Sequence, residues 1–412
     1  MLASTPAPRK RILVLTSRYP YPVIGGDRLR IYQICKLLAA EHDLTLLCLC
    51  ESPAELDSPL PDDGVFRAVH RHYLPRWRSW LNCLAALPTR TPLQVAYYRS
   101  EAFKQQATAL AGEHDIVLAH LIRTGDMVKD LPVHKVLEMT DAISLNYERV
   151  IRQPSPREND FRRLVYRVEQ PRLQAYETAI VRKFDRSFLV SGVDRNYLFG
   201  AEDSQQHREE NRVSVATNGV EANAFSDLSQ SRGQDIAFVG NITSLQNVDA
   251  AWFAATEILP LVNRALPGTK LRVIGRIPKG QRARLEKLPN VIVTGEVDSV
   301  AEAARGCGVG ICPVRLGAGI QNKVLEYIAL GLPTVTTSVG YEGLTFVRDA
   351  EILVKDEPHD IASAVVALLT NREIAAKVAA TARRRLAGDY DWSQCLKPYR
   401  DHVLQLGDTG RS

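Results

Sequence analysis

Short apolar segments alternate with longer amphipathic segments along the first half of the chain. The stretch 27–40 has apolar residues at helical spacing, as expected for a helix with one buried face. Strands that alternate with helices favour right-handed crossover units and therefore a parallel sheet. The segments with the length and residue types of buried strands are 11–17, 44–50, 115–120 and 135–140.

The same alternation starts again in the second half. A polar segment, 221–234, follows an Asn218-Gly219 turn and is typical of a connection between domains. A helix is predicted from about Asn247, and a second Rossmann-like sheet explains the pattern. The predicted strands of this sheet are 235–239, 270–274, 291–294, 309–314, 334–337 and 352–354.

Two further stretches have apolar residues at helical spacing. The Arg- and Glu-rich region 154–183 is predicted to be a helix that packs along the first domain, with Leu164, Val168 and Leu173 on its apolar face. The final stretch, from Tyr390 to Leu406, is predicted to be a helix that crosses back onto the first domain. The predicted domains are 1–218, 219–389 and the crossover segment 390–412.

Composition agrees with two globular domains and excludes several classes of protein. The chain has 412 residues, of which 45% are hydrophobic. The seven cysteines have no metal-binding spacing and are expected to be reduced core thiols. The net charge of +5 does not require a nucleic-acid partner. The start of the chain is polar, and the apolar stretch after it is too short for a signal peptide, so we expect a cytoplasmic protein.

Four motifs give the chain a resemblance to a known family. They are Asn218-Gly219-Val220 and the strings 238–241, 319–326 and 340–344. With them the chain resembles retaining glycosyltransferases of family 4 over nearly its whole length. The strings 19–22 and 25–30 look most like those of sugar transferases from bacterial exopolysaccharide loci, the PEP-CTERM-associated subgroup.

This resemblance implies an α/β fold of the GT-B type, with two Rossmann-like doubly wound parallel-sheet domains facing across a cleft. It also implies transfer from a nucleotide-sugar donor to a glycan or polyprenyl-diphosphate-linked saccharide acceptor, with no cofactor and no metal ion. In such a retaining transfer the acceptor attacks on the face that the diphosphate leaves.

The string 317–326 is the strongest candidate for a donor site. It follows a predicted strand and opens a predicted helix, whose first amides can bind an anion. Lys323 falls in the first turn, where a cation is unfavourable against the helix dipole unless an anion is bound. The resemblance implies that Glu326 accepts hydrogen bonds from the donor ribose. The other predicted donor contacts of this string are Gly319, Ile320, Gln321 and Asn322.

Two positions depart from the family pattern. Ala318 stands where the family has a second Glu, and Asn241 follows Gly240 where many relatives have Arg. The diphosphate therefore needs other cations, and Arg315, after a predicted strand, joins Lys323 as a predicted catalytic residue. By the same resemblance, the nucleotide base is expected at the turns that contain Arg276 and Val297.

The first domain offers weaker signals. Gly25 and Gly26 lie between the first strand and its helix, where backbone amides can approach the donor, although any flexible loop can contain such a pair. His120 ends a predicted strand, and the resemblance implies contact with the transferred sugar, against a purely structural role. Capping of a helix is the alternative role for Asp141. The predicted acceptor-side residues are Asp27, Arg28, Asp141 and Asn146.

The stretch 70–90 mixes arginines with Trp77, Trp80, Leu81 and Leu84. Basic residues beside tryptophans suit a membrane interface, so peripheral contact with the inner face of the cell membrane is expected. A protein interface or internal packing is the alternative.

Three other functions fit parts of the sequence. A sugar-nucleotide epimerase shares the architecture and donor site. A catalytically inactive GT-B scaffold is suggested by Ala318 and Asn241. A nucleic-acid binder is suggested by the arginines of 157–186, but the acids among them favour a solvated helix face.

Overall fold

The computed structural model describes residues 9–59, 61–152, 160–200, 212–221, 227–229 and 232–406. They form two compact units. The first contains the described residues up to Leu145, those of Leu164–Thr217 and those from Leu396 onward, and the second contains Asn146–Arg163 and Asn218–Cys395. The first eight residues, the start of the predicted helix 154–183 and most of the predicted connection 221–234 lie outside the described residues.

The first unit contains a sheet of seven parallel strands in the order β3-β2-β1-β4-β5-β6-β7. The central strands are apolar because helices cover both faces of a parallel sheet. In β1, for example, every residue after Arg11 is buried. The strands are β1 (Arg11–Thr16), β2 (Asp43–Cys50), β3 (Ala68–Tyr73), β4 (Ile116–His120), β5 (His134–Thr140), β6 (Arg186–Leu189) and β7 (Val213–Val215).

Among the described residues, eight helices begin between these strands, together with 3₁₀ turns at Pro53–Glu55 and Val181–Lys183. Two of them, α6 and α7, have residues in both units. The helices are α1 (Gly26–Ala39), α2 (Arg76–Ala86), α3 (Leu93–Tyr97), α4 (Glu101–Ala111), α5 (Leu121–Val128), α6 (Ile143–Arg152), α7 (Asp160–Ile180) and α8 (Gly192–Phe199).

The second unit contains six parallel strands in the order β10-β9-β8-β11-β12-β13. In both sheets the strand order reverses beside the first strand, which is the doubly wound arrangement that leaves a crevice at the carboxyl ends of the central strands. The strands are β8 (Asp235–Val239), β9 (Leu271–Ile274), β10 (Val291–Gly295), β11 (Cys307–Cys312), β12 (Thr334–Thr336) and β13 (Leu353–Val354).

A π-helical turn, Ala254–Ile258, joins the first two helices of the second unit. The helices of this unit are α9 (Leu245–Phe253), α10 (Leu259–Ala265), α11 (Lys279–Leu285), α12 (Val300–Ala303), α13 (Asn322–Ala329), α14 (Ser338–Tyr341), α15 (Pro358–Thr370), α16 (Arg372–Asp389) and α17 (Trp392–Cys395).

The last described helix, α18 (Lys397–Gln405), belongs to the first unit. The ring of Tyr399 stacks on Phe188 of β6, with centroids 3.8 Å apart. The ammonium group of Lys10 donates a 3.0 Å hydrogen bond to the carbonyl of Leu404 and another to that of Val403. Tyr390 and Trp392, in contrast, lie in the second unit.

The predicted α/β class with two parallel sheets is confirmed, with some corrections to the elements. The strand predicted at 309–314 runs from Cys307 to Cys312, because Pro313 follows it. Strands β3 and β6 were not predicted from the sequence. In α7, Leu173 is buried as predicted but Leu164 and Val168 are exposed, so the apolar face of this helix is only partly covered.

Candidate donor and acceptor sites

The strand order of the second sheet reverses between β8 and β11, so the loops after these two strands flank the crevice. The loop after β11 leads into α13, whose start at Asn322 agrees with the predicted helix opening. Gly317 in this loop has φ +130°, and a Cβ there would lie 3.0 Å from Oε1 of Gln246. A side chain at this position would be strained, so the loop keeps an open backbone toward the crevice.

Lys323 lies in the first turn of α13 and is buried. Its ammonium donates to Oδ1 of Asn247 at 2.6 Å and to Oε1 of Gln321 at 3.4 Å, and lies 5.4 Å from the centre of the Phe238 ring. Burial lowers the pKa of this ammonium group, whereas Cys312 and Glu326 raise it. Among the described residues, all of its hydrogen-bond acceptors are neutral amides. A buried cation held in this way is stabilised when an anion binds next to it.

Glu326 lies one turn further along α13 and is half-buried. Burial raises the pKa of its carboxyl group, and the nearby Lys323 lowers it. No hydrogen bond to this carboxylate is found in the described part of the chain. Asn322 accepts a 2.7 Å hydrogen bond from the side-chain amide of Asn218, which fixes the start of the helix. The predicted residues Gly319, Ile320 and Gln321 form the loop immediately before it, with Gly319 at φ +72° and the other two buried.

Arg315 is held by a bidentate ion pair with the buried Asp249 of α9, at 2.8 and 3.1 Å. Its guanidinium also stacks 4.1 Å from the centre of the Phe253 ring. The side chain is still 36% exposed, so it keeps access to solvent beside this pair. Asp249 therefore orients Arg315 and offsets part of its charge.

The other predicted donor residues lie on the loops after β8, β9 and β10. Asn241 is exposed, and its carbonyl accepts a 3.0 Å hydrogen bond from the Asn247 side chain, which connects this loop to Lys323. The backbone of Gly275 packs so closely on Gly240 that any side chain at Gly275 would overlap the Gly240 carbonyl. The exposed Arg276 and the half-buried Val297 follow β9 and β10 at the same edge of the sheet. Ala318 is buried in the loop after β11.

One cation at this edge was not predicted from the sequence. Arg149 of α6 belongs to the second unit, where it donates to the carbonyl of Gly317 and pairs with both oxygens of Glu342 at 2.6 and 2.7 Å. The contact joins residues 168 positions apart. A single helical arginine has no local signal for such a partner, so only the folded chain identifies it.

In the first unit, His120 ends β4 at the carboxyl edge of the sheet and is buried. Its Nε2 has no hydrogen-bond partner among the described residues. Burial lowers the pKa of the imidazole to about 3, although Asp27 raises it, so the ring is neutral near pH 7. The next residue, Leu121, has φ +68°, a conformation that is rare for a branched side chain and is found preferentially at functional sites.

The neighbouring strand, β5, also has a residue with positive φ at its carboxyl end. Thr140, the last residue of β5, has φ +67° and donates a 2.9 Å hydrogen bond to Glu138. Glu138 in turn forms a fully buried bidentate pair with Arg30 of α1, at 2.7 and 3.1 Å. This pair was not predicted from the sequence. It fixes the strained backbone immediately before Asp141.

Asp141 is half-buried. Burial and repulsion from Asp194 raise the pKa of its carboxyl group to about 7, against a lowering effect of Arg123. The first amide of α6 donates to Glu177 at 2.8 Å and the amide of Ala142 donates to Asp194 at 2.9 Å. Other carboxylates therefore make the hydrogen bonds that a capping role for Asp141 would have required.

The loop from β1 to α1 lies at this same edge. Gly25 and Gly26 are exposed, and Gly25, with φ +99°, precedes the first residue of the helix. Asp27 lies 3.6 Å from the guanidinium of Arg18, and Arg28 lies 4.0 Å from Glu55. His120, Asp141 and Asp27 therefore gather at one edge of the first sheet. Asn146 is half-buried in the part of α6 that belongs to the second unit.

Among the described residues, no group of three or more His, Cys, Asp or Glu side chains is arranged to hold a metal ion. In the same part of the chain, no helix has the length and apolar character needed to span a membrane.

Comparisons with known proteins give one family model and several similar proteins. Residues 233–371, which contain the whole loop after β11 and α13, match the family model described as glycosyl transferases group 1. A protein from the cps region of Klebsiella pneumoniae, described as an uncharacterized 44.6 kDa protein, is 21% identical over 346 residues, which cover 81% of this chain and 84% of that protein.

Two solved structures share the fold over nearly the whole chain. Sucrose-phosphate synthase from Thermosynechococcus elongatus superposes with a TM-score of 0.69 at 15% identity, covering 98% of this chain and 100% of that one. HepE of Anabaena, solved in complex with UDP and glucose, superposes with a TM-score of 0.63 at 13% identity, covering 96% of this chain and 100% of that one. The two superpositions show the two-sheet fold over nearly the whole chain, and the family-model match is confined to residues 233–371.

Proposed function

We propose that the protein is a retaining glycosyltransferase that moves a sugar from a nucleotide-sugar donor to a saccharide acceptor. The observation that carries the proposal is the buried ammonium group of Lys323, which lies in the first turn of α13 and whose hydrogen-bond acceptors among the described residues are neutral amides. A diphosphate would supply the missing negative charge and accept hydrogen bonds from the free amides of the helix.

The proposed reaction uses these charges on the leaving group. The acceptor hydroxyl oxygen forms a bond to the anomeric carbon, and the bond from that carbon to the diphosphate oxygen breaks on the same face. The proton of the hydroxyl passes to the departing phosphate oxygen. Lys323, Arg315 and the amides of α13 stabilise the charge that develops on the diphosphate. Glu326 would bind the ribose hydroxyls, and the neutral His120 would contact the transferred sugar.

We further propose that the acceptor is a saccharide on a lipid carrier and that the product is an exopolysaccharide or another surface glycan. Two observations support this proposal: the similarity to a protein of a cps region and the exposed apolar face of α2, where Trp77, Leu81 and Leu84 are each more than half exposed. Arg76 and Arg78 lie in the first turn of the same helix, as expected for contact with an anionic membrane. The enzyme would then act at the inner face of the cell membrane.

The test compares Lys323→Ala with Lys287→Ala, a matched change at an exposed lysine of the same unit. A thermal-shift panel of UDP, GDP and ADP first identifies the nucleotide. Removing Lys323 is expected to weaken binding of that nucleotide and to lower kcat/KM for transfer by about a hundred- to a thousandfold, as for other groups that stabilise transition-state charge. The proposal fails if the two variants behave alike.

Two further readouts separate the alternatives. Transfer is expected to persist in EDTA, because the positive charge at the diphosphate comes from side chains and helix amides. Incubation with the sugar nucleotide alone is expected to leave its sugar unchanged, whereas an epimerase would convert it. A protein that binds the nucleotide but transfers no sugar to any acceptor would support the inactive scaffold.

A further inference from the structure

A cavity of about 360 Å³ lies at the carboxyl edge of the first sheet, within the first unit. It is lined by residues at or just after the ends of β1, β2 and β3, by residues of α2 and α3, and by the residue after α3. The volume lies in the range of small-molecule pockets, which measure about 300–1,000 Å³. Six of its side chains combine aromatic rings with charges: Arg18, Glu51, Arg76, Trp80, Tyr97 and Tyr98.

Two charged groups of the cavity, Arg18 and Glu51, are paired with each other. Arg18 lies 3.0 Å from the carboxylate of Glu51 and 3.6 Å from that of Asp27, and donates a 3.3 Å hydrogen bond to the hydroxyl of Tyr98. Carboxylate and guanidinium groups held side by side offer both acceptors and donors to sugar hydroxyls. Arg76 at the rim is exposed and forms no ion pair with any described residue, so it is free to bind an anion.

The aromatic wall is presented to solvent. Trp80 is 64% exposed and meets the ring of Tyr97 edge-on, with centroids 6.2 Å apart. Such rigid amphipathic rings can cover the apolar face of a pyranose while its hydroxyls reach polar partners. Trp80 also belongs to the exposed apolar face of α2, so the cavity opens beside the proposed membrane contact.

The cavity is electrostatically connected to the candidate acceptor residues. Asp27 pairs with Arg18 on one side and influences the titration of His120 on the other. We propose that this cavity binds the saccharide unit of a lipid-linked acceptor against Trp80 and Tyr97, with the adjoining phosphate on Arg76. This inference rests on the proposed function, which it deepens by placing the acceptor.

The test exploits two tryptophans of α2 that are almost equally exposed, Trp77 at 63% and Trp80 at 64%, of which only Trp80 lines the cavity. Binding is measured by calorimetry, without nucleotide or membrane, for farnesyl diphosphate and for the same molecule carrying glucose, galactose, N-acetylglucosamine or N-acetylgalactosamine. At least one sugar-bearing probe is expected to bind ten times more tightly than farnesyl diphosphate alone. Trp80→Ala should remove about tenfold of that affinity, whereas Trp77→Ala should leave it within twofold.

Arg76→Ala should weaken binding of every probe, including the one without sugar, because it removes the phosphate contact. The inference is overturned if no sugar-bearing probe exceeds farnesyl diphosphate, or if the two tryptophan variants lose affinity equally. Because binding is read without a donor, a protein that binds the probes but transfers nothing would refute only the proposed function. Transfer with an unchanged acceptor KM in Trp80→Ala would refute only the cavity.

Discussion

Single charged residues at the carboxyl edges of the two sheets make contacts with residues that are distant in the sequence. Lys323 was predicted to bind the donor diphosphate because a lysine in the first turn of a helix is unfavourable without an anion, and this role stays a prediction. Its contact with Asn247 could not be predicted, because it joins residues 76 positions apart. The contacts of Arg30 with Glu138 and of Arg149 with Gly317 could not be predicted for the same reason. Periodicity identifies which residues face a core, but not which distant polar groups meet.

Asp141 gives a pH-dependent prediction at this scale. The pKa of its carboxyl group is about 7 in the folded chain, against an ordinary value of 3.8. Below about pH 4 the group is protonated in both states. As the pH rises from about 4 to 7, the unfolded chain releases this proton while the folded chain retains it, so stability falls, and it levels off above the folded pKa.

Asp141→Asn removes this pH-dependent loss. The variant is expected to be more stable than the parent by up to about 2 kcal/mol at pH 8, because the partial exposure of the side chain moderates the effect, and by much less at pH 4. Urea unfolding at the two pH values measures the difference. Asp298→Asn, at an exposed aspartate of the second unit, serves as the control. Equal effects of Asp141→Asn at both pH values would contradict the prediction.

At the scale of whole elements, strands with a continuous apolar sequence were the easiest to predict. Central strands such as β1 and β8 are continuous apolar runs and were predicted to within one or two residues. Strand β3 was missed because it lies at the edge of the sheet, and its sequence Ala-Val-His-Arg-His-Tyr contains no fully buried residue. Strand β6 was missed although three of its four residues are buried, because it begins only three residues after the predicted helix 154–183 and its first two residues, Arg186 and Ser187, are polar.

Helix α2 carries a prediction about membrane contact. Its residues Trp77, Trp80, Leu81 and Leu84 follow helical spacing on one face and are exposed, and the helix contains no acidic residue. The double change Leu81→Ser and Leu84→Ser should greatly reduce sedimentation with vesicles that contain phosphatidylglycerol, by about tenfold or more, because it removes the apolar area that enters the interface. Added salt should weaken binding of the parent protein.

The control for this prediction is Ile374→Ser, a change at an exposed isoleucine of α16 in the second unit. It alters the same kind of side chain on a helix, Arg372–Asp389, in which no other large apolar side chain is exposed. If the Leu81→Ser and Leu84→Ser double variant binds vesicles as well as Ile374→Ser does, the exposed face of α2 has another partner.

At the scale of the whole molecule, the two-sheet architecture was predictable because the strand–helix alternation occurs twice. The division of the chain between the units is less regular. The second unit includes the described residues between Asn146 and Arg163, within the first half of the sequence, and the first unit includes α18 near its end. No hydrophobic pattern encodes such exchanges, since a helix buries the same apolar stripe in either unit.

The stability of the first unit is therefore expected to depend on α18. Tyr399 is buried against Phe188, and no partner for its hydroxyl is found among the described residues. Tyr399→Ala should lower the free energy of unfolding of this unit by about 3–5 kcal/mol, as expected for loss of a large buried side chain. Tyr399→Phe should be neutral or slightly stabilising, because it removes only an unpaired polar atom.

Hydrogen exchange of the β6 amides reports on this unit, and nucleotide binding reports on the second unit. Both variants should bind the nucleotide normally. A loss of stability in Tyr399→Phe as large as that in Tyr399→Ala would show that the hydroxyl, and not ring packing, holds the helix.

The position of α18 also has a consequence during synthesis. The ribosome makes the first sheet early, but the helix that covers Phe188 emerges only after the entire second unit has been made. Domains generally fold as they leave the ribosome, in order from the amino terminus. Here the apolar surface around Phe188 stays uncovered until translation is nearly complete. Nascent chains stalled before Lys397 are therefore expected to stay bound to chaperones.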